Sequence, residues 1–262
     1  PISGWGNFDS DEWELYHLDE DRSQTRNLAA EHPDKLEELK RLWHELAERY
    51  DGMPLDDRTA LEIMMTPKPQ PGAPRDRYVY YPDTAEVPES VAVNVRGRSF
   101  TIAAGVSLDT PEAEGVLFAH GGVGGGHVLY VKDRRLHYLY NWLGERHQVV
   151  SSEDELEPGR HVLTAEFRKT GNDSRTPSAT GTLTLYVDDE PAGAAEVMTQ
   201  PGFFALCGDG LCVGRDSGSP VSRDYTVPFA FAGGTIERVV VDVSGDAYVD
   251  HEKEVLAWLA RD

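Results

Sequence analysis

The sequence predicts a mainly β protein, an antiparallel β-sandwich preceded by a small strand-plus-helix piece, and three observations carry this reading. The run GVLFAHGGVGGGHVLYVKDRRLHYLYNWLG, from Gly115 to Gly144, places Val116 and Phe118, then Val128 and Tyr130, then Leu136, Tyr138, Tyr140 and Trp142 at every second position. Period two puts each set on one face of a pleated strand. On both sides, further short apolar runs recur between Gly, Pro and Asp turns with no crossover helix among them, the pattern of two packed antiparallel sheets. A single stretch near the N-terminus switches to a period of 3.6 instead.

Taken in order, Trp13 to Leu18 (WELYHL) reads as a short strand that the acidic DEDRSQ breaks. The helix follows. Pro33 stands at its first position, Asp34 and Glu37 suit the positive end of the dipole, and Gly52 closes it. Leu36, Leu39, Leu42, Trp43, Leu46, Ala47 and Tyr50 form its apolar stripe. One short strand is too little to cover that stripe, so its partner is expected in the later sandwich or in sequence beyond this chain. From Met53 to Pro74 proline accumulates and regular structure is not expected, so the stretch reads as a connector. Residues 1–74 and 75–262 are thus expected to form two parts.

In the second part strands are expected at Tyr78 to Tyr81, Ser90 to Val95, Ser99 to Leu108, three within the glycine-containing run, and Arg146 to Ser151. The series continues with His161 to Lys169, Gly181 to Val187, Pro191 to Val197, Leu211 to Arg215 and Thr235 to Val243. Lys132 to Arg135 is short and polar enough for a tight hairpin. His251 to Arg261 has Val255, Leu256, Trp258 and Leu259 at helical spacing, which predicts a terminal helix docked on the sandwich.

With 39% hydrophobic residues the chain has enough apolar material for a core, and its net charge of -21 repels phosphate backbones and anionic headgroups. Neither nucleic acid nor a membrane is an expected partner. No apolar run reaches membrane-span length and no signal core opens the chain, which points to a soluble protein, with the cytoplasm favoured. A start at Pro1 in mid-phrase suggests a piece of something longer. The two cysteines, Cys207 and Cys212, are too few for a disulfide scaffold; a local bridge and buried free thiols both remain open, the thiols favoured.

Chemical motifs are sparse. The Gly121 to Gly126 loop resumes as a strand at His127 rather than opening a helix, against a phosphate-binding role. There is no GxSxG or HExxH, and DEDRSQ lacks the glycine and distal glutamate of an EF-hand loop. Asn172-Asp173-Ser174 fits the glycosylation pattern but reads as a polar loop. The polar stretch GDGLCVGRDSGSPVSRDY supplies the candidate ligand residues Asp216, Asp224 and Tyr225, for a hard cation or a sugar, with Ser219 beside them. Trp142, with Tyr138 and Tyr140, is the candidate sugar platform, although such an aromatic stripe is more often core.

DEWELYHLDEDRSQTRNLAAEHPDKLEELKRLWHELAERYDGMPLDDR resembles the segment closing the catalytic region of bacterial arylsulfatases of the alkaline-phosphatase-like superfamily. YYPDTAEVPESVAVNVRGRSFTIAA, the glycine loop with LYVKDRRLHYLYNWLG, and VGRDSGSPVSRDY resemble the C-terminal extension of their larger members, in the same order. The resemblance implies a lectin-like, concanavalin-like jelly roll over residues 75–262 and a parent that hydrolyses sulfate esters. That parent's formylglycine, made from a CxPxR-type motif, and its calcium are expected in an N-terminal catalytic domain, not here. After Cys207 the proline and arginine places hold Asp209 and Leu211, and after Cys212 they hold Gly214 and Asp216. The chain is therefore expected to be a non-catalytic structural or interface module whose partner is that domain. The alternative is a carbohydrate- or calcium-binding lectin-like module. No catalytic, cofactor or metal residue is assigned to this chain.

Overall fold

The computed structural model describes residues 11–56, 75–176, 178–200 and 209–245. The chain divides into two compact units, Pro1–Pro67 and Lys68–Asp262. The expected terminal helix, most of the connector and Cys207 lie outside the described residues.

In the first unit the helix forms as its period requires: α1 spans Pro33–Arg49, with Pro33 at the N-terminal end, Asp34 in the first turn and Arg49 in the last. Gly52 N–H donates to Ala47 O at 2.7 Å and Tyr50 N–H to Leu46 O at 3.0 Å, taking up carbonyls that the helix end would leave unpaired. The expected strand at Trp13 to Leu18 does not form. A strand needs a ladder partner, and here Leu15 instead donates its N–H to Asn27 Oδ1 at 3.0 Å and accepts from Leu28 N–H at 2.7 Å. The Asp21 carboxylate takes the N–H groups of Thr25 and Arg26, both at 2.8 Å, and fixes the acidic turn that the sequence marked as a break. Trp13 meets Trp43 of the helix edge-on, ring centroids 5.5 Å apart.

The second unit is a sandwich of two antiparallel sheets. Its strands are β1 (Arg77–Tyr80), β2 (Phe100–Leu108), β3 (Gly115–Gly122), β4 (Gly125–Lys132), β5 (Arg135–Trp142), β6 (Arg146–Ser151), β7 (Gly159–Asn172), β8 (Ala179–Val187), β9 (Glu190–Thr199), β10 (Leu211–Val213) and β11 (Gly234–Asp242). Six of them form one sheet in the order β1-β11-β2-β7-β8-β9, and five the other in the order β10-β3-β4-β5-β6. Tight turns set the register of two hairpins: Asp133 and Arg134 between β4 and β5, and Asp188 and Asp189 between β8 and β9, all have positive φ. Two successive positive-φ residues match the right-handed twist of the strands they join.

Ser90 to Val95 is a correction to the sequence reading. Its alternation is genuine, since Val93 and Val95 are buried in the core, yet no strand forms: Ser90 and Val91 lie in a turn, and Val93 to Val95 run irregularly. Val91 and Ala92 both donate N–H to Pro88 O at 3.0 Å and Val93 N–H bonds the Tyr80 hydroxyl at 3.1 Å, so these N–H groups are satisfied without a ladder partner.

Between the sheets lies the main core. Ile102, Ala104, Leu163, Phe167, Leu183 and Val239 point in from the six-stranded sheet, and Leu129, Leu136, Tyr138 and Tyr140 from the other. Phe100 stacks on Phe167 at 5.4 Å. A second core covers the other face of the five-stranded sheet, where Val116, Ala119, Val128, Tyr130 and Leu139 are closed over by Val221, Tyr225 and Phe229. These three come from the segment 214–232, which crosses the sheet as a strap. It is tied at its ends by Phe231 N–H to Gly214 O at 2.9 Å and Val116 N–H to Phe229 O at 3.0 Å. The five-stranded sheet is therefore covered on both faces, while among the described residues of this unit nothing packs over the outer face of the six-stranded sheet.

Candidate functional site

The sequence candidates Asp216, Asp224 and Tyr225 all belong to the strap. Asp216 is 2% exposed, and its carboxylate accepts from Ser217 N–H at 2.9 Å, Val221 N–H at 3.0 Å and the Tyr225 hydroxyl at 2.6 Å. Burial raises its pKa, and these hydrogen bonds oppose the rise. Tyr225 stacks on Phe229 at 5.0 Å and meets Tyr130 edge-on at 5.6 Å; burial and then the Asp216 carboxylate push its pKa up. Asp224 accepts from the Tyr130 hydroxyl and from Lys132 Nζ, both at 3.0 Å. Burial raises the Asp224 pKa, but the bonds from Lys132 and Tyr130 outweigh it and the net shift is downward. These groups hold the strap on the sheet.

Trp142 stands apart from them. It packs against the main core, donating its indole N–H to Ser178 Oγ at 3.1 Å with the Arg146 guanidinium 5.9 Å above the ring. Tyr138 and Tyr140 are fully buried core residues. The glycine loop has a packing reason: a Cβ on Gly122 would lie 2.3 Å from Asp209 Oδ2 and 2.4 Å from Ser219 Oγ. Ser219 donates to that Asp209 oxygen at 2.6 Å and accepts from Val123 N–H at 3.1 Å. Cys212 is a buried free thiol.

Inside the sandwich, His120 and His127 face each other across β3 and β4 and are buried. His127 Nδ1 lies 3.0 Å from the Tyr138 hydroxyl. Desolvation lowers the pKa of His127 to about 3 and that of His120 well below its ordinary value, so both are neutral near pH 7. Among the described residues no group of three His, Cys, Asp or Glu side chains is placed to hold a metal ion.

The open face of the six-stranded sheet offers a site of different character. A groove of about 350 Å³ at its end is lined by Ser99, Thr101, Glu166, Arg168, Asp242 and Ser244, with Phe100 and Phe167 between them in the strands. Strand pairing positions the polar residues side by side, with Asp242 opposite Thr101 and Thr101 opposite Glu166. Asp242 receives Arg77 Nη2 at 2.8 Å and the Ser244 hydroxyl at 2.6 Å. The Ser244 hydroxyl and backbone N–H, with Arg77, hold its pKa below the usual carboxylate range. Glu166 receives the Tyr186 hydroxyl at 3.0 Å and Arg168 Nε at 3.1 Å. Carboxylates with spare lone pairs, hydroxyls that donate and accept, and a phenol ring beside them can bind a polyhydroxylated ligand. The alternating pattern of these strands marked a covered and an uncovered face in the sequence, but which uncovered residues stand together depends on strand order and register.

The sequence matches no protein-family profile and no curated protein. Among solved structures it is similar to the mouse laminin alpha1 chain, domains LG4-5, with 15% identity over 72% of this chain and a TM-score of 0.40. The chain spans about half of that one, 47%. It is also similar to the CBM40 of a Ruminococcus gnavus IT-sialidase, with 20% identity, 62% of this chain, 82% of that one and a TM-score of 0.35. A SAP-like pentraxin from Limulus polyphemus gives 13% identity, 65% and 75% coverage, and a TM-score of 0.35. Among the described residues no helix is long and apolar enough to cross a membrane.

Proposed function

We propose that this chain is a non-catalytic, lectin-like module that holds carbohydrate on the open face of its six-stranded sheet. The observation that carries the reading is the asymmetry of the sandwich. One sheet has its outer face sealed by an apolar strap, whereas the other, among the described residues, carries an uncovered groove of hydroxyls, carboxylates and an arginine. A thermal-shift scan of the full chain against a glycan panel tests it. At a hundredfold excess over its dissociation constant a ligand adds about 2.7 kcal/mol, which raises the Tm of a domain this size by about 5–10 °C. Glu166→Gln together with Asp242→Asn should abolish that shift. A panel without any shift would refute the reading.

The separated sequence motifs support a further proposal, that this module is the C-terminal part of a bacterial arylsulfatase. In that proposal sulfate-ester hydrolysis, calcium and formylglycine belong to a catalytic domain N-terminal to this chain. A structural role for the first unit is favoured by one observation: α1 buries none of its residues, and Leu39, Leu42 and Leu46 are 38%, 45% and 40% exposed. Such a stripe fits coverage by the catalytic domain. Leu42→Glu should abolish association with a co-expressed catalytic domain; unchanged association would refute the structural role.

A further inference from the structure

Two lines of residues cross the open face at right angles to the strands. One runs Arg77, Asp242, Thr101, Glu166 and Thr184, successive partners on β1, β11, β2, β7 and β8. The next runs Val79, Val240, Ala103, Thr164 and Tyr186 on the same five strands. The first is polar and the second mostly apolar. They lie two residues apart along each strand, a separation of about 7 Å. All ten side chains are half-buried or exposed, including Val79 at 45%. On a chain with net charge -21, the charges of the polar line are matched within the face: Arg77 pairs with Asp242 at 2.8 Å, and Glu166 with Arg168 at 3.1 Å.

A pyranose ring has the complementary division, C–H groups on its faces and hydroxyls around its rim. Resting on the reading that the open face binds carbohydrate, we infer that its ligand class is an extended, uncharged oligosaccharide lying across the strands. The ring faces sit on the Val79 to Tyr186 line and the rim hydroxyls bond the Arg77 to Thr184 line. Five strands give four spacings, about 19 Å, room for about four rings. The charge balance selects against anionic chains: each arginine is already engaged by a carboxylate, so a sulfate or uronate meets acceptors and a repulsive overall field.

Calorimetric titration of the full chain with β-1,4-linked gluco-, manno- and xylo-oligosaccharides of one to six units tests this, with heparin oligosaccharides as the anionic series. In at least one neutral series the affinity should rise at least tenfold from one to four units and then level off. Val79→Asp, at an exposed edge position, and Tyr186→Ser should each remove at least fivefold of the four-unit affinity, with far-ultraviolet spectra and Tm confirming that the variants fold. Monosaccharide binding that does not improve with length, or binding of the heparin series alone, would overturn the inference while leaving carbohydrate binding intact. Absence of binding in every series would overturn both.

Discussion

Acid should unfold this protein through two histidines well above the pH at which its carboxylates titrate. His120 and His127 are buried between the sheets, and desolvation takes His127 from 6.5 to about 3 and His120 well below 6.5. A histidine with a lower pKa in the folded state supports the fold fully above pH 6.5. It loses that support as pH falls towards the folded value, because only the unfolded chain takes up the proton. Each group then costs about 1.4 kcal/mol per pH unit below 6.5, so the pair costs about 5 kcal/mol by pH 4.5. His137 and His147, also lowered chiefly by burial, act in the same sense, and Asp216, whose pKa is raised, acts in the opposite one. Asp188, Asp224 and Asp242 have pKa values below 3.8 and act outside this window. Urea unfolding at pH 7.0, 6.0, 5.0 and 4.5 should show the fall in the wild type and about half of it in His127→Gln, which keeps a partner for the Tyr138 hydroxyl. Most of it should vanish in His120→Gln combined with His127→Gln. Stability that is flat from pH 6.5 to 4.5, or a double variant with the wild-type slope, would refute the reasoning.

Tyr225→Phe removes the hydroxyl that bonds Asp216 and should cost about 1.5–3 kcal/mol, as for a buried bond to a charged group; urea denaturation measures it, and limited proteolysis should cut the strap between 214 and 232 faster. Gly122→Ala forces a methyl onto Asp209 and Ser219 and should destabilise by about 1–3 kcal/mol in the same assay. Phe167→Ala empties the centre of the main core and should cost about 3–5 kcal/mol, readable as a drop in Tm. Arg77→Ala, which breaks a pair whose arginine side chain is 69% exposed, should change stability by less than about 1 kcal/mol.

Most of the sandwich was legible because period-two patterning and turn chemistry are local properties. The polar break at Lys132 to Arg135 became a hairpin with positive φ at Asp133 and Arg134, and the alternation around Leu183 and Leu185 became one buried and one open face. Where a strand depends on a distant partner, the same patterning misled. WELYHL and Ser90 to Val95 alternate, yet their backbone groups bond turns, side chains and single loop residues, and no ladder forms. The strap was harder still. Asp216, Asp224 and Tyr225 carry the residue types of a binding loop, and only their contacts reveal that they serve the fold. Conversely, Thr101, Glu166, Tyr186 and Asp242 lie on four separate strands, and no local signal joins them. Their meeting follows from the order β11-β2-β7-β8 and the bulges that set its register.

Where a bound glycan touches the chain is the most direct test of carbohydrate binding on the six-stranded sheet. Amide chemical shifts of the isotopically labelled full chain, followed during titration with a glycan that raises its Tm, locate the contact. The changes should centre on Thr101, Glu166, Tyr186 and Asp242 and leave the strap around Asp216 and Tyr225 unmoved. Changes confined to the strap or to the first unit would contradict the account.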